Sequence, residues 1–287
     1  MILVTGAAGK TGQALIQVLS NRGIPVRAFV YRADYIEQVK VIGAQEGFVG
    51  DLQNEADLAQ AALGCHAIYH ICPNMHPDEI AMGQRITAAA RQAGVQRFIY
   101  HSVLHPQVEA MPHHWHKMRV EEMLFASGLD FTILQPAAYM QNILGGWKAI
   151  VSQGAHRVPY PVETRLSVVD LNDVADVAAK VLTEPGHSSA TYELAGPENL
   201  NQNEVAATLS AVLRQPVEAQ QISIDAWTAG AKKAGLGAYQ IETLVKMFRY
   251  YEQHHFEAND NVLGWLLERP PTTLRTFLEA HLISAER

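Results

Sequence analysis

The sequence predicts an α/β fold, a doubly wound parallel sheet with a smaller, mostly helical C-terminal region. Three observations carry this. Short apolar runs alternate with helix-length segments as far as about residue 136, and neighbouring parallel strands require long crossovers of that kind. The runs are nearly all apolar instead of alternating with polar residues, as in strands covered on both faces. A glycine-bearing turn stands directly after the first run, where such a fold bends a strand into a helix.

The elements follow in order. ILVTG (2–6) reads as the first strand, and Ala14, Leu15, Val18 and Leu19 mark the next helix, which stops at Gly23. VRAFV (26–30), FVGD (48–51), AIYHIC (67–72), RFIYHSV (97–103) and FTILQP (131–136) read as further strands. Past residue 150 the pattern loosens. LSVVDLNDVADVAAKVL (166–182) reads as a short strand and a helix capped by Asn172 or Asp173. TYELAG (191–196) reads as one more strand, and the rest as mostly helical, IETLVKMFRYYEQ and TTLRTFLEAHL among it. The expected organisation is a main domain over 1–150, to which 166–196 returns, and a smaller region over 151–287. No Gly/Ser-rich linker marks the border.

Composition narrows the function classes. Apolar residues make up 48% and charged residues 18%, with a net charge of −7, which fits a globular protein and argues against direct nucleic-acid binding. Two cysteines, Cys65 and Cys72, cannot build a disulfide framework or a thiolate metal cage. Cys72 reads as a small buried residue before it reads as a reactive thiol. A strand starting at Met1 leaves no room for a signal peptide, and no apolar stretch reaches the length of a membrane span. The expected compartment is the cytoplasm, with no membrane partner.

The turn TGAAGKTG places Gly6, Gly9 and Gly12 at a strand–turn–helix junction. Glycine there permits a sharp turn and close backbone approach to a pyrophosphate, while the helix N-terminus offers amide donors. The spacing is GxxGxxG, so position rather than the bare pattern supports dinucleotide binding. Counting about 20 residues beyond Gly12, where an acid selects NAD and arginine favours NADP, reaches Arg32. A guanidinium suits a 2′-phosphate, and Lys10 adds a second cation, so NADP(H) is preferred over NAD(H). Asp34 stands close enough to offer a ribose contact instead. Asp51 with Leu52 offers an adenine contact, unless Asp51 merely caps the helix near Asn54. Pro73 stops the fourth strand after Ile71 and Cys72, where a dinucleotide would cross the sheet.

A second stretch, MPHHWHKMRVEEML (111–124), crowds His113, His114, Trp115, His116 and Lys117 together. It reads as a metal site, a proton-transfer site or the polar start of a helix. The histidine spacing does not align three imidazoles on one helical face, so no metal is expected. Pro112 suits a first helical residue, and His113 and Lys117, four apart, share a face. Lys117 with Glu121 also has the spacing of a solvated surface pair. Trp115 reads as a packing residue.

The chain resembles the NmrA-like branch of the atypical or extended short-chain dehydrogenase/reductase superfamily. The carriers are TGAAGKTG, VRAFVYR, VGDLQNEADLAQAALGCHAIYHI, AARQAGVQRFIYHSVL, KMRVEEMLFASGLDFTILQPAAYMQN and LSVVDLNDVADVAAKVL. The resemblance implies an NAD(P)-binding Rossmann domain with a C-terminal substrate region. It implies that Gly6, Ala8, Gly9, Lys10, Thr11 and Gly12 hold the phosphates, Arg32 the 2′-phosphate, and Asp51 and Leu52 the adenine. Ile71, Cys72 and Pro73 would line the crossing; Pro136, Ala137 and Ala138 would lie near the nicotinamide, and Tyr139 and Asn142 near the substrate. Ser102 takes the place of the superfamily's active-site serine, and Lys117 that of its ribose-binding lysine. The tyrosine of Tyr-x-x-x-Lys is then His113, and Gln135 replaces a common arginine before the proline.

Histidine carries protons near neutral pH, so reduction of a quinone or enone survives the loss of tyrosine better than alcohol dehydrogenation does. The expectation is an NADPH-dependent reductase of a small hydrophobic acceptor, with Lys117, His113 and Ser102 as its catalytic residues. The competing class is a non-enzymatic NADP(H) sensor of the NmrA type, and the missing tyrosine favours it. Trp227, Tyr239, Met247 and Phe248 read as a substrate pocket or as plain core. A homodimer or a protein partner stays open.

Overall fold

The apolar runs become strands in a computed structural model that describes residues 1–285. β1 (Ile2–Val4), β2 (Val26–Val30), β3 (Glu46–Val49), β4 (Ala67–His70), β5 (Arg97–His101) and β6 (Phe131–Pro136) come first. Between them lie α1 (Lys10–Asn21), α2 (Tyr35–Ile42), α3 (Glu55–Ala62), α4 (Glu79–Gln92) and α5 (Pro112–Phe125). β7 (Ala138–Tyr139), a 3-10 helix (Met140–Gly146), α6 (Trp147–Gln153), β8 (Ala155–Val158), β9 (Leu166–Val169), α7 (Leu171–Thr183) and β10 (Ala190–Leu194) follow. The remainder is β11 (Asn199–Leu200), α8 (Gln202–Leu213), β12 (Glu218–Gln221), α9 (Ile224–Lys233), α10 (Ala238–Tyr251), α11 (Asn261–Leu267) and α12 (Leu274–Ala285).

Two units divide the chain. The first comprises Met1–Gln107, His113–Gln135 and Val174–Tyr192; the second comprises Val108–Pro112, Pro136–Asp173 and the chain from Glu193 onward. The main sheet has the order β10-β6-β5-β4-β1-β2-β3, and every pairing among β1 to β6 is parallel. This is the doubly wound sheet that the apolar runs predict. Leu3, Ile68, Phe98 and Ile133 from the strands pack with Leu58, Ile86 and Leu124 from the helices. α1 turns Leu15, Ile16 and Leu19 inward, each contributing about 1.5–3 kcal/mol by leaving water.

In the second unit, β7 pairs with β9 in parallel and β11 with β9 antiparallel. β8 and β12 form a separate parallel pair. Met140, Ile150, Val205, Leu209, Leu274 and Leu278 make its core. The sequence reading of this region as mostly helical passes over β8, β11 and β12. They are short, and β12 (EAQQ) is polar and largely exposed, so neither periodicity nor β propensity marks it.

β3, β4 and β5 are among the strands that end earlier than the apolar runs do. β3 stops at Val49, β4 at His70 and β5 at His101, leaving Gly50–Asp51, Ile71–Cys72 and Ser102–Val103 to turn away from the ladder. The cap of α7 is neither Asn172 nor Asp173. Asp170 accepts the amide of Asn172 at 3.0 Å, while Asp173 lies within the helix and accepts from Arg269 at 2.7 Å and from the Thr272 amide at 2.7 Å. Phe248 belongs to an aromatic cluster, edge-to-face with Trp227 at 4.7 Å and tilted against Tyr160 at 5.9 Å. Among the described residues no helix is long and apolar enough to cross a membrane.

Candidate active site

Strand order reverses between β1 and β4, so their crossovers leave on opposite sides and open a crevice at the strands' carboxyl ends. Thr5 ties the two ends together. Its hydroxyl donates to the Ile71 carbonyl at 3.0 Å and accepts the Ile71 amide at 2.8 Å. That leaves His70 Nδ1, 2.9 Å away, to donate to the same oxygen.

The glycine loop rises beside this seam. Gly6 has φ +60, and a Cβ there would stand 3.0 Å from both Cβ and O of Ile71. A Cβ on Gly12 would meet Gly6 O at 2.5 Å and Ala7 Cα at 2.6 Å, so α1 packs against the turn only because Gly12 has none. Gly9 is the N-cap of α1 and supplies no capping side chain, and the first turn carries no acid. Gly9 and Lys10 are exposed, with Ala8 and Thr11 half-buried beside them. An uncapped, cationic helix start behind bare backbone fits a phosphate group.

Arg32 and Asp34, the alternative readings at the end of β2, form one ion pair. Arg32 Nε donates to Asp34 Oδ1 at 2.9 Å and its Nη2 to Oδ2, with the guanidinium 5.0 Å from the Tyr35 ring centroid. The bond from Arg32 holds the Asp34 carboxyl below its ordinary range. Asp51 does not cap α3. Asn54 does, accepting from Ala56 N at 3.0 Å and Asp57 N at 3.4 Å. Asp51 orders the preceding turn, accepting Gln53 N at 2.8 Å and donating its own amide to Asp57 at 2.9 Å. Leu52 and Cys72 are buried and Pro73 is exposed. Burial and Glu79 push the Cys72 thiol far above its usual range, which removes the reactive-thiol reading.

The histidine-rich stretch opens α5, and its polar side chains turn inward. Lys117 is 5% exposed; its Nζ donates to Glu79 Oε1 at 2.6 Å and to the His101 carbonyl at 3.0 Å. Tyr100 donates to the same Oε1 at 3.0 Å. The other oxygen, Oε2, faces His113 Nδ1 at 3.5 Å, a distance and alignment short of a hydrogen bond for either atom. Burial alone would raise the Glu79 carboxyl, but the Lys117 ammonium and then His113 outweigh it and hold it below the carboxylate range. Burial lowers His113, against the pull of Glu79. His114 bonds the Leu104 carbonyl through Nδ1 at 2.9 Å, and burial with His113 pushes it down to about 3. Trp115 is half-buried. Among the described residues no three His, Cys, Asp or Glu side chains gather as metal ligands.

Lys117 and Glu121 do not form the surface pair that their spacing allows. Glu121 is 4% exposed; it accepts the Ser102 hydroxyl, and Gln135 Nε2 at 2.9 Å from each carboxylate oxygen. Burial raises its carboxyl, opposed by those bonds and by Lys117. Gln135, without an assigned role at the sequence level, thus supplies Glu121's amide donor.

The first unit therefore holds the glycine loop, Arg32, Asp51, Leu52, Ile71, Cys72, Pro73, Ser102, His113 and Lys117. Pro136, Ala138, Tyr139 and Asn142 belong to the second, Ala138 and Tyr139 pairing with Val168 and Val169 in β7–β9. Sequence reasoning missed Glu79. As a first-turn acid beside exposed Asp78 it carries no local sign of burial.

The fold and its glycine loop define a Rossmann-like nucleotide-binding α/β protein. The NmrA-like family model matches residues 1–278, and the chain belongs to that family. An NAD(P)H azoreductase of Xenophilus azovorans is 30% identical over 292 residues, 98% of each chain. A (4-alkanoyl-5-oxo-2,5-dihydrofuran-3-yl)methyl phosphate reductase of Streptomyces griseus is 32% identical over 290 residues, again 98% of each. The crystal structure of an Escherichia coli NADPH-dependent quinone oxidoreductase complexed with NADPH superposes with a TM-score of 0.86 at 26% identity, covering 99% of this chain and 100% of that one.

Proposed function

We propose that this protein is an NAD(P)H-dependent reductase, favouring NADPH, that passes a hydride to a small hydrophobic acceptor such as a quinone or enone. The observation that carries this is the cradle at the switch point, where Gly6 and Gly12 leave no room for a Cβ and α1 begins uncapped. The relatives support it, since they reduce azo, dihydrofuranone and quinone compounds with the whole chain aligned. The Gly6–Gly12 loop with Lys10 and Thr11 would hold the pyrophosphate, Arg32 the 2′-phosphate, and Asp51 with Leu52 the adenine. Bound there, the reduced nicotinamide supplies the hydride. The chain's own residues bind, orient and supply the proton that balances the reduction: one hydride and one proton convert each acceptor double bond. Lys117 orients the nicotinamide ribose, and Tyr139 and Asn142 belong to the substrate side.

One observation favours the second reading, a nucleotide-binding sensor. The usual tyrosine is His113, and Lys117 is engaged by Glu79 inside the first unit. NADPH oxidation against a panel of quinones, enones and azo dyes decides between them. Turnover with at least one acceptor is expected; tight NADPH binding without turnover of any would establish the sensor instead.

A further inference from the structure

We infer that Glu79 is the positioning residue of a histidine–carboxylate dyad: its Oε2 fixes the His113 ring through Nδ1, so that the opposite edge carries the transferable proton. This rests on the reductase reading and names the source of its proton.

The two oxygens of Glu79 are treated very differently. Oε1 receives Lys117 at 2.6 Å and Tyr100 at 3.0 Å. Oε2 is buried and receives no hydrogen bond, and the same is true of His113 Nδ1, which faces it at 3.5 Å. An unsatisfied buried polar atom is costly, more so when charged. A carboxylate that served only to neutralise Lys117 would gain nothing by leaving one oxygen facing a half-engaged imidazole. The arrangement fits a ring held loosely when neutral and firmly when protonated, because a charge-assisted N–H···O⁻ bond is both shorter and stronger.

The ring has an outlet as well as an anchor. His113 keeps 12% side-chain exposure, yet Nδ1 is fully buried, so the exposed part lies away from Glu79. With Nδ1–H directed at Oε2, Nε2 is the atom left to take a proton from solvent and release it. In the reduction, the acceptor gains a hydride from the nicotinamide, and the oxygen or carbon left with the electron pair takes the proton from Nε2. His113 returns to neutral and is reprotonated by water. The groups around it are Glu79 from α4, and Lys117, His116 and His114 from its own helix, His114 standing edge-to-face at 5.9 Å. Tyr100 and His101 from β5 act through their bonds to Glu79 and Lys117. Glu79 alone among these favours the protonated ring, and it touches Nδ1 without reaching the edge that would meet substrate.

Nitrogen-15 NMR of the histidine side chains tests this without any turnover, with His113→Gln assigning the resonance among the 13 histidines. In the unaltered protein neutral His113 is expected to be protonated at Nδ1. In Glu79→Gln its titration midpoint should fall, with proton affinity down about tenfold, the effect of losing one facing charge. The alkaline limb of kcat/KM, where the donor loses its proton, should move to lower pH with it. An Nε2–H tautomer, or a midpoint that Glu79→Gln leaves in place, overturns the dyad. The tautomer measurement decides the matter even if Glu79→Gln does not fold. Absence of turnover beside the expected NMR result would count against the reductase reading and leave the dyad standing.

Discussion

Replacing Lys117 with methionine keeps the side chain's length and removes its charge. Nζ lies 2.6 Å from Glu79 Oε1, with the two side chains 7% and 1% exposed, so water cannot take the place of the ammonium. Removing one partner of a buried pair typically costs about 3–5 kcal/mol. The site sets its own ceiling, because the orphaned carboxylate escapes by binding a proton. From an ordinary carboxyl value of 4.5, holding that proton costs about 3.4 kcal/mol at pH 7 and about 1.4 kcal/mol at pH 5.5. In the unaltered protein the folded carboxyl lies below its ordinary value. The stability it contributes is therefore fully present above pH 4.5 and is lost only as pH falls through the lower folded value. In Lys117→Met the folded carboxyl rises above 4.5, the folded state binds more protons than the unfolded one, and the variant regains stability as pH falls. The direction is the same if His113 takes the proton in place of Glu79. Urea unfolding should show a gap of about 3 kcal/mol at pH 7 that narrows by about 2 kcal/mol at pH 5.5. A gap that is equal at the two pH values, or below about 1 kcal/mol at pH 7, would mean that Lys117 does not neutralise a buried carboxylate.

Two further outcomes follow from the first unit. Asp34→Asn releases the guanidinium fork of Arg32 and should tighten NADPH several-fold by calorimetry with little change for NADH, whereas Arg32→Ala should abolish the preference; a clear preference of the unaltered protein for NADH would instead make Asp34 the recognition residue. Burial pushes His70, His101 and His114 each down to about 3. Their contribution is therefore present above pH 6.5 and lost as pH falls from there toward 3. By pH 5 the loss is on the order of 2 kcal/mol per ring, and His114→Asn, whose amide can still donate to the Leu104 carbonyl, should remove about one proton from the pH slope of unfolding. A slope unchanged in that variant would mean that His114 is already protonated in the folded state.

The lysine–glutamate pairing shows where sequence reasoning reached its limit. Four-residue spacing offers Lys117 the nearby Glu121, and helix geometry alone supports that choice. The structure gives Lys117 to Glu79, 38 residues away in the chain. It gives Glu121 to Ser102 and Gln135, 19 and 14 residues away. Similarly, the local composition suits Asn172 or Asp173 as a cap, but the helix starts at Leu171 and Asp170, two residues before Asn172, takes the position.

The part of the protein written in local chemistry is legible along the chain. Apolar runs separated by helix-length crossovers can be satisfied only by a covered parallel sheet. The turn after β1 requires glycine where a Cβ would strike Ile71 or Gly6, and that requirement is visible as a pattern. The family is legible for the same reason, as an ordered series of such stretches. Which charges meet in the interior is set by long-range packing. Burial removes water from groups that are distant in the chain, and each ionised or polar side chain must then pair with whatever the packing brings within about 3 Å. Glu79, an ordinary first-turn acid in the sequence, becomes the shared partner of Lys117, Tyr100 and His113 by that route alone.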